Sequence, residues 1–444
     1  MDPKPADLKA AERPERGRSL TRVAPQTPAE KIVWCTLIWT WPFYGLGALY
    51  VVGPVLGWML ATIAGVSLYL GPVIRLDMRA TGPVPALVWI WSVGMLVMLA
   101  SLWAGHADWN LGTTKTIKSS IGWAKGWALI PLFILAGAVL PIRREVLVRG
   151  QCVVGLWTLC LLPLLIAAPY AGLPHLLFTS PLKAVGGPGP EYFSVYLYTI
   201  DPASGTPRWQ FFAPWSPFAA LLGVCMVLFA LEEKHGSWKV IGLAAGVLMI
   251  LMSKSRMGMV GLVICSLSPR LLPIVARSLG WILLSAVTTT VAVWGAVFVE
   301  FGNRALYRFK SARADSTRVR ETLQRIAYER WQSDAMVFGH GTVRPGAHLV
   351  EYMPIGSHHT WYGLLFVKGL TGFAAFLVPF LGHLAIVTLD AIKSERGRLP
   401  LGLLLTVLLL TFGENVEIQT YLLWPTLLML GLHLREVKSV CLGS

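Results

Sequence analysis

Apolar runs of membrane-spanning length recur from residue 32 almost to the C-terminus, and they leave the chain little choice of fold. A hydrocarbon layer about 30 Å thick needs about 20 helical residues to cross it. Runs approaching or exceeding that length lie at roughly 32–50, 52–72, 83–103, 121–140, 151–170, 214–231, 238–252, 257–275, 278–299, 361–389, 399–413 and 419–434. Backbone amides in lipid must be satisfied within the segment, so each run predicts a helix. The expected fold is all-α: a polytopic integral membrane protein of about twelve transmembrane helices, with long outer-face loops containing an amphipathic helix. Pro269 and Pro273 interrupt the run at 257–275. Composition agrees, since 55% of the 444 residues are hydrophobic, 14% are charged and the mean hydropathy is +0.60. A soluble domain of this length has no way to hide so much apolar surface.

The formal net charge is +15, yet the cations sit in short clusters between apolar runs. They make no nucleic-acid-like field, and no nucleic-acid partner is expected. Residues 1–31 are polar and Pro-rich without a short apolar core, so they read as a disordered cytoplasmic tail and not a signal peptide. With that tail inside, alternate loops carry Arg75 and Arg79, then Arg143, Arg144 and Arg149, then Lys234 and Lys239, then Arg270 and Arg277. Lys393, Arg396 and Arg398 follow, and Arg435 and Lys438 close the series. Short basic loops belong inside. The plan is therefore a tail at 1–31, helices one to nine over 32–299 with an outer loop at 171–213, and an outer loop domain at 300–360. Helices ten to twelve occupy 361–434, and a cytoplasmic tail follows at 435–444. A shorter outer loop is expected at about 104–120. The 300–360 loop is itself rich in arginine, including Arg304, Arg318, Arg320, Arg325 and Arg330. That many translocated cations suggest an anionic ligand on the outer face. Five of the six cysteines fall inside apolar runs and none has metal-site or disulfide spacing, so they read as packing residues.

Three elements carry candidate chemistry. His358 and His359 stand where an apolar segment begins, with Trp361 and Tyr362 beside them to fix headgroup depth. They read either as interfacial histidines bonded to loop carbonyls or as a base held where water meets lipid. Ser253-Lys254-Ser255-Arg256 forms a tight turn on the same face. Lys254 and Arg256 either snorkel to lipid phosphates or, for Arg256, meet a phosphate with a forked guanidinium. The segment 315–331 places Val319, Leu323, Ile326 and Trp331 at helical spacing, with Asp315 or Ser316 as a possible cap. It reads as an interfacial amphipathic helix whose charged face is otherwise solvated, and Phe338-Gly339-His340-Gly341 follows as a turn. The aromatic, glycine-rich segment 174–214 is a lid or a folded cap. A zinc site from His340, His348, His358 and His359 lacks ligand spacing, and no Gly-x-Ser-x-Gly is present. No metal and no cofactor are expected.

In order and spacing these elements resemble the O-antigen ligase and polymerase superfamily. The resemblance rests on Ser255-Arg256, on Arg318 or Arg320 with Gly339-His340-Gly341, and on His358 followed by Gly369-Leu370-Thr371-Gly372. It covers about residues 250–380. His359 stands where the family usually has Asn, and the usual Pro before the Gly-x-Gly is missing.

The resemblance implies a metal-independent, inverting glycosyltransferase of the bacterial inner membrane, with its active site periplasmic and both termini cytoplasmic. The donor would be a glycan on undecaprenyl diphosphate. The acceptor would be lipid A-core for a ligase, the next lipid-linked repeat for a polymerase, or a protein serine or threonine. On this reading His358 takes the acceptor proton, and Arg256 with Arg320 or Arg318 neutralises the leaving diphosphate. His359, Glu414 and Glu417 are candidates for a supporting shell or acceptor contact, the two acids being otherwise solvated loop residues. Lys115, Lys118 and Lys125 are placed to steer phosphate. A transporter of lipid-linked glycan is the non-enzymatic alternative.

Overall fold

The computed structural model describes residues 23–70, 83–201, 204–276, 280–282, 284–292, 294, 300, 314–350 and 352–442. Its architecture is all-α. The helices are α1 (Pro28–Ile38), α2 (Thr40–Gly45), α3 (Leu49–Tyr69), α4 (Ala86–Asp108), α5 (Thr113–Lys125), α6 (Leu129–Val139) and α7 (Arg144–Tyr170). They continue as α8 (Ser216–Glu232), α9 (Gly236–Met252), α10 (Arg256–Val275), α11 (Gly280–Ala292), α12 (Ala314–Asp334), α13 (Thr360–Lys393), α14 (Arg398–Gly413) and α15 (Val416–Leu442).

Among the described residues, seven helical stretches are long and apolar enough to cross a membrane: α3, α4, α5 with α6, α7, α10, α13, and α14 with its preceding turn. The twelve expected runs do not map one to one onto helices. The run at 32–50 divides into α1 and α2, because Pro42 lacks an N–H for the Ile38 carbonyl and crowds it. The chain turns at Trp39. The expected outer loop at 104–120 contracts to the turn 109–112, since α4 continues to Asp108 and the Thr-Lys-Ser segment after it is helical. Helix α5 then breaks from α6 at Gly126.

Helix α8 lies at the centre, apolar on all sides and buried from Phe218 to Ala230. It packs against α9 at backbone distance: a β-carbon at Gly246 would lie 2.7 Å from the Gly223 carbonyl oxygen. Several basic turns converge at one end of the bundle. Arg144 donates to the Arg396 carbonyl at 2.9 Å and pairs with Glu436 at 3.5 Å, and Arg435 donates to the Ile142 carbonyl at 2.7 Å. Arg149 forms a fork with Glu233 at 2.8 and 2.9 Å.

At the other end, the 171–213 segment is a packed cap. Leu176–Thr179 pairs antiparallel with Ser194–Tyr196, and Thr199–Ile200 with Pro207–Arg208. Tyr192 and Phe193 are buried against Tyr50, with ring centres 5.3 and 5.5 Å away. The Tyr44 hydroxyl locks the cap to α2, donating to the Tyr196 carbonyl at 2.9 Å and accepting its amide at 2.8 Å.

Helix α13 is broken at Gly369, whose φ of 62° and ψ of −167° suit glycine alone. A break at this depth frees peptide groups that need partners. The turn 336–341 supplies them. His340 and Gly341 donate their amides to the Phe366 and Val367 carbonyls at 2.8 and 2.9 Å, while Leu370 and Thr371 donate to the Met336 and Val337 carbonyls at 2.9 and 3.1 Å. Ser101 of α4 donates to the Lys368 carbonyl at 2.7 Å. The Gly339 backbone lies so close that a β-carbon there would sit 2.5 Å from the Gly369 nitrogen.

Candidate functional site

The sequence around His358 folds as it does because α13 needs a cap. His359 occupies the N-cap with extended backbone, and its Nδ1 accepts from the amides of Trp361 at 3.2 Å and Tyr362 at 3.5 Å. Its ring lies edge-on to Tyr362 and Phe412. Burial, reinforced by the Arg320 guanidinium, lowers its pKa to about 4. Accepting two amides requires the Nε2–H tautomer, so His359 serves the helix. His358, one residue earlier, is half-buried and its side chain makes no hydrogen bond among the described residues. Burial and Arg320 lower its pKa too, which keeps the imidazole neutral near pH 7.

Arg320 reaches the histidines from α12. Val319, Leu323 and Ala327 bury one face of that helix against Val350, Ile355 and Phe366, close to the expected periodicity; Asp315 and Ser316 already lie within the helix. Arg320 Nη1 donates to the Gly413 carbonyl at 3.3 Å, and Nη2 stands 3.9 Å from Glu414 Oε1. A small pocket is lined by Arg320, Gln324, Ser357, His358, His359 and Tyr362, among others. Glu414 is 4% exposed. Burial raises its pKa to about 7 against the opposing pull of Arg320. The loop is pinned by Thr360, whose hydroxyl donates to the Glu414 carbonyl at 2.7 Å and accepts the Val416 amide at 3.0 Å.

No protein-family model matches this chain, and no curated protein matches it. The site therefore stands on its own geometry.

Four candidates, His358, His359, Arg320 and Glu414, come together. Arg256 opens α10, where the Ser255 hydroxyl caps the helix by accepting the Gly258 amide at 3.3 Å. The next residue, Met257, lies against Gly413, the same residue that holds Arg320. Arg318 is on the exposed face of α12. Glu417 is engaged elsewhere: Lys368 Nζ lies 3.5 Å from its Oε2. Neither Glu414 nor Glu417 bonds a histidine, so the His359 tautomer is set by backbone amides and not by a carboxylate. Lys125 donates to the Val185 and Gly186 carbonyls of the cap at 3.1 Å each, and Lys115 and Lys118 are exposed on α5. Lys254 reaches Thr206.

His340 is fully buried between the rings of Phe366 and Trp109, with centroids 4.2 and 4.9 Å away. Its role is to hold the turn against α13. Among the described residues no three His, Cys, Asp or Glu side chains gather as a metal-binding group.

Two contributors escaped sequence reasoning. Thr360 has no signature, because any residue can follow an N-cap. Lys368, 3% exposed and 5.8 Å above the Trp127 ring, was marked only by being the lone charge in an apolar run. That isolation is the signal for a buried pair.

Proposed function

We propose that this chain transfers a glycan from undecaprenyl diphosphate to an acceptor hydroxyl. The observation that carries the reading is an imidazole, His358, with no hydrogen bond among the described residues, beside the Arg320 guanidinium at the mouth of a broken membrane helix. As the acceptor oxygen attacks the anomeric carbon, His358 takes its proton. The bond from that carbon to the phosphate oxygen breaks, and the diphosphate departs with the electron pair. Attack opposite the leaving group inverts the configuration. Arg320, together with Arg256 on the adjoining helix start, offsets the charge gathering on the diphosphate. Glu414 holds Arg320 from behind.

Twelve spans, cytoplasmic termini and a periplasmic site in a bacterial inner membrane belong to the same proposal. The convergence of basic turns at the end of the bundle remote from His358 supports that orientation.

The test is reconstitution with undecaprenyl-diphosphate-linked glycan and lipid A-core. His358→Ala and Arg320→Ala should each lower product by about 100-fold or more while still accumulating in the membrane. Product at wild-type level in both variants refutes the proposal. Transfer of one intact glycan identifies a ligase, whereas a ladder of lengths identifies a polymerase. Movement of the donor across vesicles without a new glycosidic bond replaces the enzyme with a transporter.

A further inference from the structure

A second cavity lies far from His358. Helix α13 has 34 residues, roughly 50 Å of helix contour at 1.5 Å per residue, with a break at Gly369 on the way. At its C-terminal end a cavity of about 580 Å³ opens between α13 and α15. One wall is apolar, formed by Ile386, Leu389 and Val437, and Leu389 is 57% exposed. The remaining lining is polar: Asp390, Lys393, Ser394, Arg396, His433 and Glu436.

The acids of this cavity are engaged inside it, whereas its cations stand at the rim. His433 is 1% exposed, and its Nε2 lies 2.8 Å from Asp390 Oδ2, a hydrogen bond that holds the Asp390 carboxylate against α15. Glu436 pairs with Arg144 at 3.5 Å. Lys393 and Arg396 are exposed at the rim, and among the described residues neither side chain meets a carboxylate. The Ser394 hydroxyl accepts the Arg396 amide at 3.1 Å, which leaves its own proton to donate. Two exposed cations with no carboxylate partner among the described residues, and a hydroxyl, therefore stand over an apolar wall at the end of a membrane-length helix. That combination matches a phosphodiester headgroup above an acyl chain.

We propose that this cavity binds one anionic diacyl phospholipid, its phosphate held by Lys393 and Arg396 and one acyl chain lying along Ile386, Leu389 and Val437. The site is independent of the glycan chemistry at the opposite end. Its charge complementarity decides between lipids: a zwitterionic headgroup would bring its own cation against Lys393 and Arg396.

The whole chain, purified in detergent, is titrated with dioleoylphosphatidylglycerol and the bound lipid is counted by native mass spectrometry. The Lys393→Ala/Arg396→Ala variant should bind about thirtyfold more weakly, the loss expected for two cations near a lipid surface. Both side chains are exposed, and an unchanged melting temperature shows that the fold persists. Leu389→Gln, which leaves the cations in place, should also weaken binding. Dioleoylphosphatidylcholine should bind no better to the wild type than phosphatidylglycerol does to the double variant. Equal binding of phosphatidylglycerol by wild type and double variant overturns the proposal, as does equal binding of the two lipids by wild type. Displacement of the lipid by excess inorganic phosphate would make this a free-phosphate site and overturn it as well.

Discussion

His358 and His359 share a peptide bond but meet different surroundings, and substitutions should separate them. Replacing His359 by Ala removes the acceptor for two amides and should destabilise the protein by about 1 kcal/mol. His359→Asn should restore the melting temperature, because an Asn oxygen accepts the same amides. The His359 pKa is depressed, so its stabilising contribution is complete above pH about 6.5 and is lost as pH falls toward about 4. Glu414 has the opposite sign. Its raised pKa means that stability falls as pH rises from about 4.5 to about 7, where the buried carboxyl ionises. Ionised Glu414 also holds Arg320, so transfer activity should rise with pH through about 7. Glu414→Gln should flatten that rise, and an unchanged inflection would assign it to another group. Residue types in the sequence marked these candidates, but burial separated their roles, and burial is not written in a five-residue window.

At the scale of elements, the break in α13 is the feature that apolar periodicity conceals. Hydropathy runs straight through Leu364 to Leu384 and predicts one unbroken span. Only Gly339, Gly341 and Gly369 hint otherwise, and the partners that make the break tolerable lie in a turn about 30 residues upstream and on α4. Gly369→Ala forces a β-carbon into the Val337 carbonyl and places Ala at positive φ. It should cost at least about 2 kcal/mol and lower membrane accumulation, read by a thermal melt of the detergent-solubilised protein. Lys368→Met leaves Glu417 without its partner at 3.5 Å. Because Glu417 is 21% exposed, the loss should be about 2 kcal/mol, below that of a fully buried pair. The double variant Lys368→Met/Glu417→Gln should recover part of it. A recovery of zero in that thermal double-mutant cycle would show that the two side chains are uncoupled.

For the whole molecule, length and hydropathy made the all-α membrane class legible, whereas helix ends depended on local exceptions such as Pro42 and Gly126. The polar segment 113–120 looked like loop because its exposed lysines and threonines outweigh Ile117 in any average, although Ile117 and the following Ile121 stand at helical spacing. Orientation is testable at this scale. On the proposed orientation, Ser357→Cys should react with an impermeant maleimide added to intact cells, and Lys393→Cys only after the membrane is opened. The reverse pattern would invert the topology.

The stitching of α13 also orders the birth of the molecule. Residues 336–341 leave the ribosome before Gly369, so the turn must wait for the peptide groups around Gly369 to arrive. Helix α4, which supplies Ser101, must already be in place. Without them the broken segment would leave carbonyls unsatisfied in lipid. The break in α13 therefore closes cooperatively, with one turn, one serine and one glycine satisfying its freed peptide groups together.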